Sequence, residues 1–313
     1  IEKGAFSSCR SLSDIVILDG VTSIGEGAFS GCSSLSDIVI PDSVTSIGDR
    51  AFWGCRSLKY ISIPKSVICL NGNPFYGWIG KLECLSPNFI YEDDVLFNKD
   101  KSKIIAFRDK NTTSYVIPDS VSCIEFGAFW NCHSLKRLVL PDSVSSIGDW
   151  AFWNCRSLTD IVIPDSVNSI GDRVFSGCCS LKSLVIPDSV SSIGESAFED
   201  CTFLSSLVIP EGVTCIGHCA FRGCYSLSNI VIPNGVTSIG GCAFSRCKSL
   251  VEVVIPDSVT SIGYWAFEGC RSLNDIIIPD SVNSIGDGAF EDCRFPYDLK
   301  QKLISRFGEK IFG

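Results

Sequence analysis

The sequence predicts a β-solenoid, a fold in which short coils of chain stack on one another. Nearly the same sequence motif recurs at a fixed interval. Val21 and Val44 are 23 residues apart, and the same 23-residue interval repeats from Val121 to Val282. A fixed period of about 20 to 50 residues is typical of solenoids, in which each repeat contacts its neighbours. The composition, with 45% apolar and 19% charged residues, is that of a well-packed chain. We therefore predict a repeat array.

Each repeat contains the elements of one coil. In residues 158–164, Ile161 and Ile163 alternate with residues that point the other way, which is the period of a β-strand. Pro164 ends the strand because it lacks the N–H that a ladder needs. After a short second strand, Gly171 is predicted to adopt a positive φ. The Ala-Phe step that follows predicts one turn of 3₁₀ or α-helix, with its Phe inside the coil.

The full pattern, C-x-x-L-x-x-I-x-I-P-x-x-V-x-x-I-G-x-x-A-F, resembles the 23-residue leucine-rich repeat of the BspA-like family and covers nearly the whole chain. The resemblance implies a right-handed leucine-rich repeat β-solenoid with short parallel strands. Family members are mostly bacterial or protozoan cell-surface proteins that bind host proteins, other cells or matrix. The resemblance therefore implies a non-catalytic scaffold that is located at the cell surface or secreted. Its expected ligand is a protein, such as a host surface or matrix protein.

The repeat defines the expected domain organisation. We expect one solenoid of about twelve coils over residues 1–295, followed by a capping helix over 296–313. The step from Val67 to Val121 is 54 residues instead of 46, which indicates an insertion. Residues 88–108 read as two apolar strands joined by the polar turn at 98–102, and predict a β-hairpin that projects from the solenoid.

The ends of the chain and its hydropathy bear on localisation. The first residues already carry Ala5, Phe6 and Cys9 of a repeat, so we expect the chain to continue an array that starts upstream, with any targeting segment outside it. The longest apolar runs have four or five residues, too short for a membrane helix. A net charge of −9 argues against a nucleic-acid partner. The oligomeric state is left open.

A column of aromatic residues is the candidate ligand-binding site. Its members stand nine residues after the repeated valine in the coils that flank the insertion, and one further tryptophan enlarges the patch: Trp53, Tyr76, Trp130, Trp153 and Trp150. One interpretation is extra packing over the turn; the other is a binding platform, because Trp and Tyr are enriched at interface hot spots. A glycan-binding module that uses the tryptophans is an alternative function.

Two further columns follow from the repeat. Asp165 and its equivalents come just after the strand, where an Asp side chain favours the turn, so no Ca²⁺ site is expected. Val162 and its equivalents point outward from the strand. They are an exposed contact stripe if the sheet faces solvent and core if something covers it, and the sequence does not decide between the two.

The 18 cysteines do not indicate a disulfide framework. Eleven occupy one repeat position, as Cys155 and Cys178 do, and are interpreted as a ladder of buried thiols. Cys215, His218 and Cys219 crowd one coil with Cys242 on the next; free thiols, a Cys219–Cys242 bridge and a metal site remain alternatives there, with no metal or cofactor predicted. The free thiols also suit an intracellular scaffold. Because no general-base arrangement is present, we predict no enzyme activity.

Overall fold

The computed structural model describes residues 1–313 and contains short strands, turns and one α-helix. The strands, in chain order, are β1 (Ser23–Ile24), β2 (Ser46–Ile47), β3 (Tyr60–Ile63), β4 (Cys69–Leu70), β5 (Lys81–Cys84), β6 (Phe89–Glu92), β7 (Val95–Asn98), β8 (Lys103–Phe107), β9 (Ser114–Val116), β10 (Cys123–Ile124), β11 (Arg137–Val139), β12 (Ser146–Ile147), β13 (Asp160–Ile161), β14 (Ser183–Val185), β15 (Ser206–Val208), β16 (Cys215–Ile216), β17 (Ser238–Ile239), β18 (Glu252–Val254), β19 (Ser261–Ile262), β20 (Asp275–Ile277) and β21 (Ser284–Ile285). The helix is α1 (Tyr297–Phe307), and a 3₁₀ turn spans Glu309–Phe312.

The chain divides into two compact units. Unit 1 comprises Ile1–Asp109 and Ser120–Trp130, and unit 2 comprises Lys110–Asp119 and Asn131–Gly313. In unit 1 the parallel sheets have the orders β1-β2-β4 and β3-β5; in unit 2 they have the orders β9-β11-β13, β14-β15, β16-β17-β19-β21 and β18-β20. The predicted β-solenoid fold is confirmed, with about 11 turns instead of the predicted twelve. That residues 1–295 form one continuous solenoid stays a prediction.

The register of the strands follows the sequence period. Ser183 pairs with Ser206, and Val185 with Val208, so equivalent residues 23 positions apart stand side by side. At the usual spacing of about 4.8 Å between strands, every repeated residue becomes a column. The phenylalanines form such a column inside the coils; Phe221 lies between Phe198 and Phe244, each with its ring centroid 5.4 Å away.

The repeated glycine has a different role from the one expected. Gly171 does not have a positive φ; left-handed backbone occurs instead two residues later at Arg173 (φ 54°) and six residues later at Gly177 (φ 75°). A Cβ on Gly194 would lie 2.7 Å from the carbonyl carbon of Gly171 on the preceding coil, closer than real Cβ contacts. Glycine is therefore required because the backbones of neighbouring coils approach each other at this point.

The insertion is built into unit 1 and contains three strands. β6 and β7 are antiparallel and are joined by Asp93 and Asp94, whose φ values of 47° and 58° match the tight turn that hairpins favour. β7 is antiparallel to β8, which in turn pairs in parallel with β10 of a coil. The predicted antiparallel pair joined by the turn at 98–102 is present as β7 and β8. It does not project as predicted, since residues 95–97 and 104–107 are buried, and β6 adds a third strand. Apolar side chains on both faces of these strands fix this arrangement, because they gain more from burial than from projecting into water.

The predicted capping helix is confirmed as α1, which begins after Pro296 and ends at Gly308. The 3₁₀ turn that follows completes the last coil: Gly288 and Phe290 donate their N–H groups to the carbonyls of Lys310 and Ile311. In the preceding coils the next repeat accepts the equivalent bonds. The cap thus satisfies donors that an open solenoid end would leave exposed. Neither helical segment is long and apolar enough to span a membrane.

The repeated cysteines are donors as well as small core residues. All 18 cysteines are free, and nine of the eleven in the ladder are buried. The thiol of Cys178 donates to the carbonyl of Phe152, and that of Cys224 to the carbonyl of Phe198, both at 3.2 Å. This explains the choice of cysteine over alanine or valine, which have no donor for that carbonyl. Burial raises the pKa of the Cys201, Cys224 and Cys247 thiols well above the ordinary range.

Because the thiolate is the reactive form, we expect the buried ladder to resist alkylation in the folded protein at pH 8. The exposed Cys9, Cys69 and Cys215 should react with iodoacetamide at the rate of free thiols, whereas Cys224 and Cys247 should react only after urea is added. Peptide mass spectrometry of timed samples measures both rates. If Cys224 were modified as fast as Cys215 in the native protein, the ladder thiols would not be buried as described.

Candidate interaction surfaces

The outward column of the main strands in unit 2 faces solvent. We call its members the valine stripe, and their exposed fractions range from 50% to 79%: Val162, Val185, Val208, Val231, Val254 and Ile277. The inward neighbours of Val185, Leu184 and Ile186, are buried, as strand alternation requires. Six residues at strand spacing give a stripe about 24 Å long. The structure thus decides the alternative that the sequence left open for these six positions, which are surface and not core, whereas Val139 of the same column is half-buried.

Acidic residues stand on both sides of the valine stripe. Three residues after five of the six stripe positions, beyond the strand-ending proline, come exposed carboxylates: Asp165, Asp188, Glu211, Asp257 and Asp280. Two residues before it, on the same face of the strand, come Asp160, Glu252 and Asp275. Two of these eight have ion-pair partners: Arg137 lies 3.4 Å from Asp160, and Arg306 lies 3.8 Å from Asp280. The result is an apolar centre with a polar, mostly negative rim, the general layout of protein-binding surfaces.

The aromatic site residues of unit 1 come together, but they are unequally exposed. Trp53 is 46% exposed and Tyr76 only 6%, while Trp130 is half-buried. The Tyr76 ring contacts Trp130, with centroids 5.1 Å apart, and meets Phe126 edge-on. Trp53 and Trp130 both lie over Gly77, where a Cβ would come within 2.7 Å of the Trp53 ring. These rings therefore cover a tight turn, and Trp53 offers the largest free surface.

The aromatic site residues of unit 2, Trp150 and Trp153, form a pair with centroids 5.7 Å apart and are both half-buried. The guanidinium of Arg173 lies over Trp150 at 4.9 Å and also pairs with Glu195 at 2.9 Å. A cation held over the ring face takes up the surface that a planar ligand would use. The binding role of all five aromatic residues stays a prediction.

An exposed aromatic pair outside the predicted column lies in unit 2. Tyr264 and Trp265 are exposed side by side, and Trp265 borders a cavity of about 430 Å³ together with His218, Cys219 and Cys242. Trp265 was missed because it stands six residues after its valine, not nine. Trp150 stands at that same position, so a comparison of the residues six positions after each repeated valine would have found Trp265.

The coils stack in parallel, place leucine, isoleucine and phenylalanine inside, and approach one another at a repeated glycine. With the helix that closes the last coil, these features define a leucine-rich repeat scaffold. The family model for the BspA type leucine-rich repeat region matches residues 1–88, 103–228 and 214–312 in 6 copies. The chain belongs to this BspA-type family, which confirms the resemblance seen in the sequence. No curated protein matches the chain closely.

Among solved structures, the chain is similar to a leucine-rich cell surface protein from Faecalibacterium prausnitzii, with 37% identity and a TM-score of 0.66 over 74% of this chain. The match covers 62% of that protein, so the chain spans less than two thirds of its length. A leucine-rich repeat protein from Eubacterium ventriosum matches at 24% identity and a TM-score of 0.57, over 91% of this chain and 84% of that one. The pneumococcal vaccine antigen PcpA matches at 23% identity and a TM-score of 0.56, over 95% and 66%. The last two show a shared fold only.

Proposed function

We propose that the chain is the protein-binding part of a cell-surface adhesion or host-interaction protein and that the valine stripe of unit 2 holds the ligand. The observation that carries the proposal is the exposure of this stripe. Contiguous apolar surface on a folded protein is costly in water and commonly marks a contact site. The likeness to a leucine-rich cell surface protein supports a surface location.

The rim defines the chemistry of the partner. Eight carboxylates flank the stripe and two of them have arginine partners, so a partner that buries the stripe must meet mostly negative charge. The fitting ligand is a protein with an apolar ridge bordered by lysine or arginine, such as a basic segment of a matrix protein. Charge complementarity at the rim mainly accelerates association, and salt screens it. Binding should therefore weaken as ionic strength rises.

The test replaces two neighbouring stripe residues, Val185→Lys with Val208→Lys, which are 79% and 72% exposed. We expect binding to purified matrix proteins and to host cells to fall at least tenfold, about 1.4 kcal/mol, because apolar contact is lost and the partner's basic rim is repelled. Folding stability should stay unchanged. Surface plasmon resonance on a defined panel of matrix proteins, with flow cytometry on cells, measures the loss.

A matched control exists in unit 1. Val16 and Val39 hold the same repeat position, pair across adjacent coils and are 81% and 70% exposed. The double variant Val16→Lys with Val39→Lys should bind normally. A second comparison, Trp53→Ala with Trp153→Ala, examines the aromatic residues. Full binding by the stripe variant would reject the stripe. Loss of binding in the tryptophan variant alone, together with competition of native binding by soluble sugars, would favour glycan recognition.

A further inference from the structure

One cluster of side chains in unit 2 departs from the repeat and is explained by neither packing nor the valine stripe. His218 stands where the two preceding coils carry Asp172 and Glu195. Cys219 and Cys242 share a repeat position where other coils carry a residue such as Ser196. The ladder cysteines bind core carbonyls, but these two lie outside that ladder. Their placement on adjacent coils brings two thiols and an imidazole to one point.

The geometry of the cluster fits a small cation. One ligand atom from each of His218, Cys219 and Cys242 lies within 4.8 Å of the other two. In a tetrahedral zinc site, sulfur and nitrogen ligands at about 2.3 and 2.1 Å from the metal are about 3.5 to 3.8 Å apart. The separations in the cluster therefore need to contract by at most about 1.3 Å, within the reach of side-chain rotation.

The backbone gives no reason for cysteine at these positions. Cys219 and Cys242 have φ values of 55° and 54°, in the left-handed region that a Cβ disfavours. The same position is left-handed in other coils, where it holds Gly27, Arg173 or Ser196, so its φ does not select for cysteine.

The surroundings leave room for the imidazole and for a fourth ligand. Gly241 lies against His218, and a Cβ there would be 3.0 Å from the imidazole Nδ1, so a side chain at 241 would crowd the ring. The cluster borders the cavity of about 430 Å³ that Trp265 also lines, which admits a water molecule.

The charges around the cluster tolerate a cation. Arg222 pairs with Glu199 at 2.7 Å, and Arg246 lies 3.7 Å from Glu268, so both guanidinium groups have carboxylate partners. Glu291 adds a further carboxylate to the cavity wall. The carboxylates thus outnumber the arginines, and the local field favours positive charge.

We propose that His218, Cys219 and Cys242 bind a thiophilic divalent cation such as Zn²⁺, with water in the fourth position. Two thiolates, one neutral imidazole and a water are a ligand set that zinc accepts. Binding releases the two thiol protons to solvent, so the bound site carries two thiolates against the doubly charged ion. This inference does not depend on the proposed function, since the ligands lie outside the valine stripe.

The test is titration of the fully reduced protein with Co²⁺, whose thiolate complexes absorb light, followed by displacement with Zn²⁺. We expect one equivalent of Co²⁺ to produce the thiolate-to-cobalt absorption and Zn²⁺ to abolish it. Cys242→Ser should weaken Zn²⁺ binding roughly 100-fold or more, because a direct ligand is worth at least as much as an outer-shell partner. Serine is compatible with the fold there, since Ser196 holds the same position with a φ of 53°.

The matched control is Cys215→Ser. Cys215 belongs to the same coil, but its Sγ lies beside the Ser238 hydroxyl at 3.5 Å and outside the cluster. This variant should bind Co²⁺ like the native chain, and His218→Ala should bind it weakly. Unchanged binding in Cys242→Ser would overturn the site. The absence of the cobalt band in reduced protein would also overturn it. A native protein that resists reduction and has two fewer titratable thiols would indicate a Cys219–Cys242 bridge instead of a metal site.

Discussion

Phe221→Ala is expected to lower the free energy of unfolding by about 3 to 5 kcal/mol, the usual cost of removing a buried phenylalanine. Phe221 is fully buried, and its ring stacks between those of Phe198 and Phe244 at interplanar angles of 2° and 5°. The substitution leaves a cavity that the rigid neighbouring coils cannot fill. Because each repeat is stabilised only by its neighbours, a gap inside the array weakens two interfaces at once.

Urea unfolding followed by circular dichroism measures the loss. Phe203→Ala is the matched control, because Phe203 belongs to an adjacent coil of unit 2 but is 59% exposed. That variant should change the unfolding free energy by no more than about 0.5 kcal/mol. A similar loss in both variants would show that the phenylalanine column does not carry the stability we assign to it.

Arg108→Met is expected to destabilise unit 1 by about 1 to 3 kcal/mol, since it leaves two partly buried carbonyls without their donor. The Arg108 guanidinium donates to the carbonyls of Trp78 and Gly80 and lies 4.6 Å from the centroid of the Trp78 ring. Burial lowers the pKa of Arg108, but the guanidinium stays protonated at neutral pH. One side chain thus attaches the end of β8 to the segment at 78–80.

Limited proteolysis and urea unfolding examine this attachment. In Arg108→Met we expect faster cleavage within residues 88–108 together with the stability loss. Lys99→Met is the control, because Lys99 is an exposed cation in the turn before β8. Cleavage and unfolding at native rates in the Arg108 variant would mean that the apolar faces of the inserted strands hold them in place without the arginine.

The sequence predicted the structure best at the positions that repeat. The 23-residue step predicted the parallel register, because identical coils can bury their leucines, isoleucines and phenylalanines only by stacking in phase. It also predicted the cysteine column, although not the hydrogen bond from Cys224 to the Phe198 carbonyl. The helix after Pro296 was predicted from its amphipathic pattern and the glycine that ends it.

The predictions were wrong where they depended on distances between coils. The repeated glycine, as at Gly171, looked like a residue needed for its φ. At its equivalent Gly194, however, the nearest backbone atom of the preceding coil excludes a Cβ. The hairpin of β7 and β8 was predicted correctly as a pair but wrongly as projecting, because the apolar pattern of these strands does not show whether both faces are buried. In both cases the sequence gives the residue type but does not show which residues pack against it in the folded chain.

The sequence by itself determined the repeat, the coil and the family, because packing of identical units requires identical residues at a fixed period. Only the tertiary structure decided which columns are surface. Leu184 and Val185 are both apolar residues of β14, and their exposure depends on what lies across the sheet, which residue types do not encode. The same holds for His218, Cys219 and Cys242, whose proximity arises from the stacking of two coils.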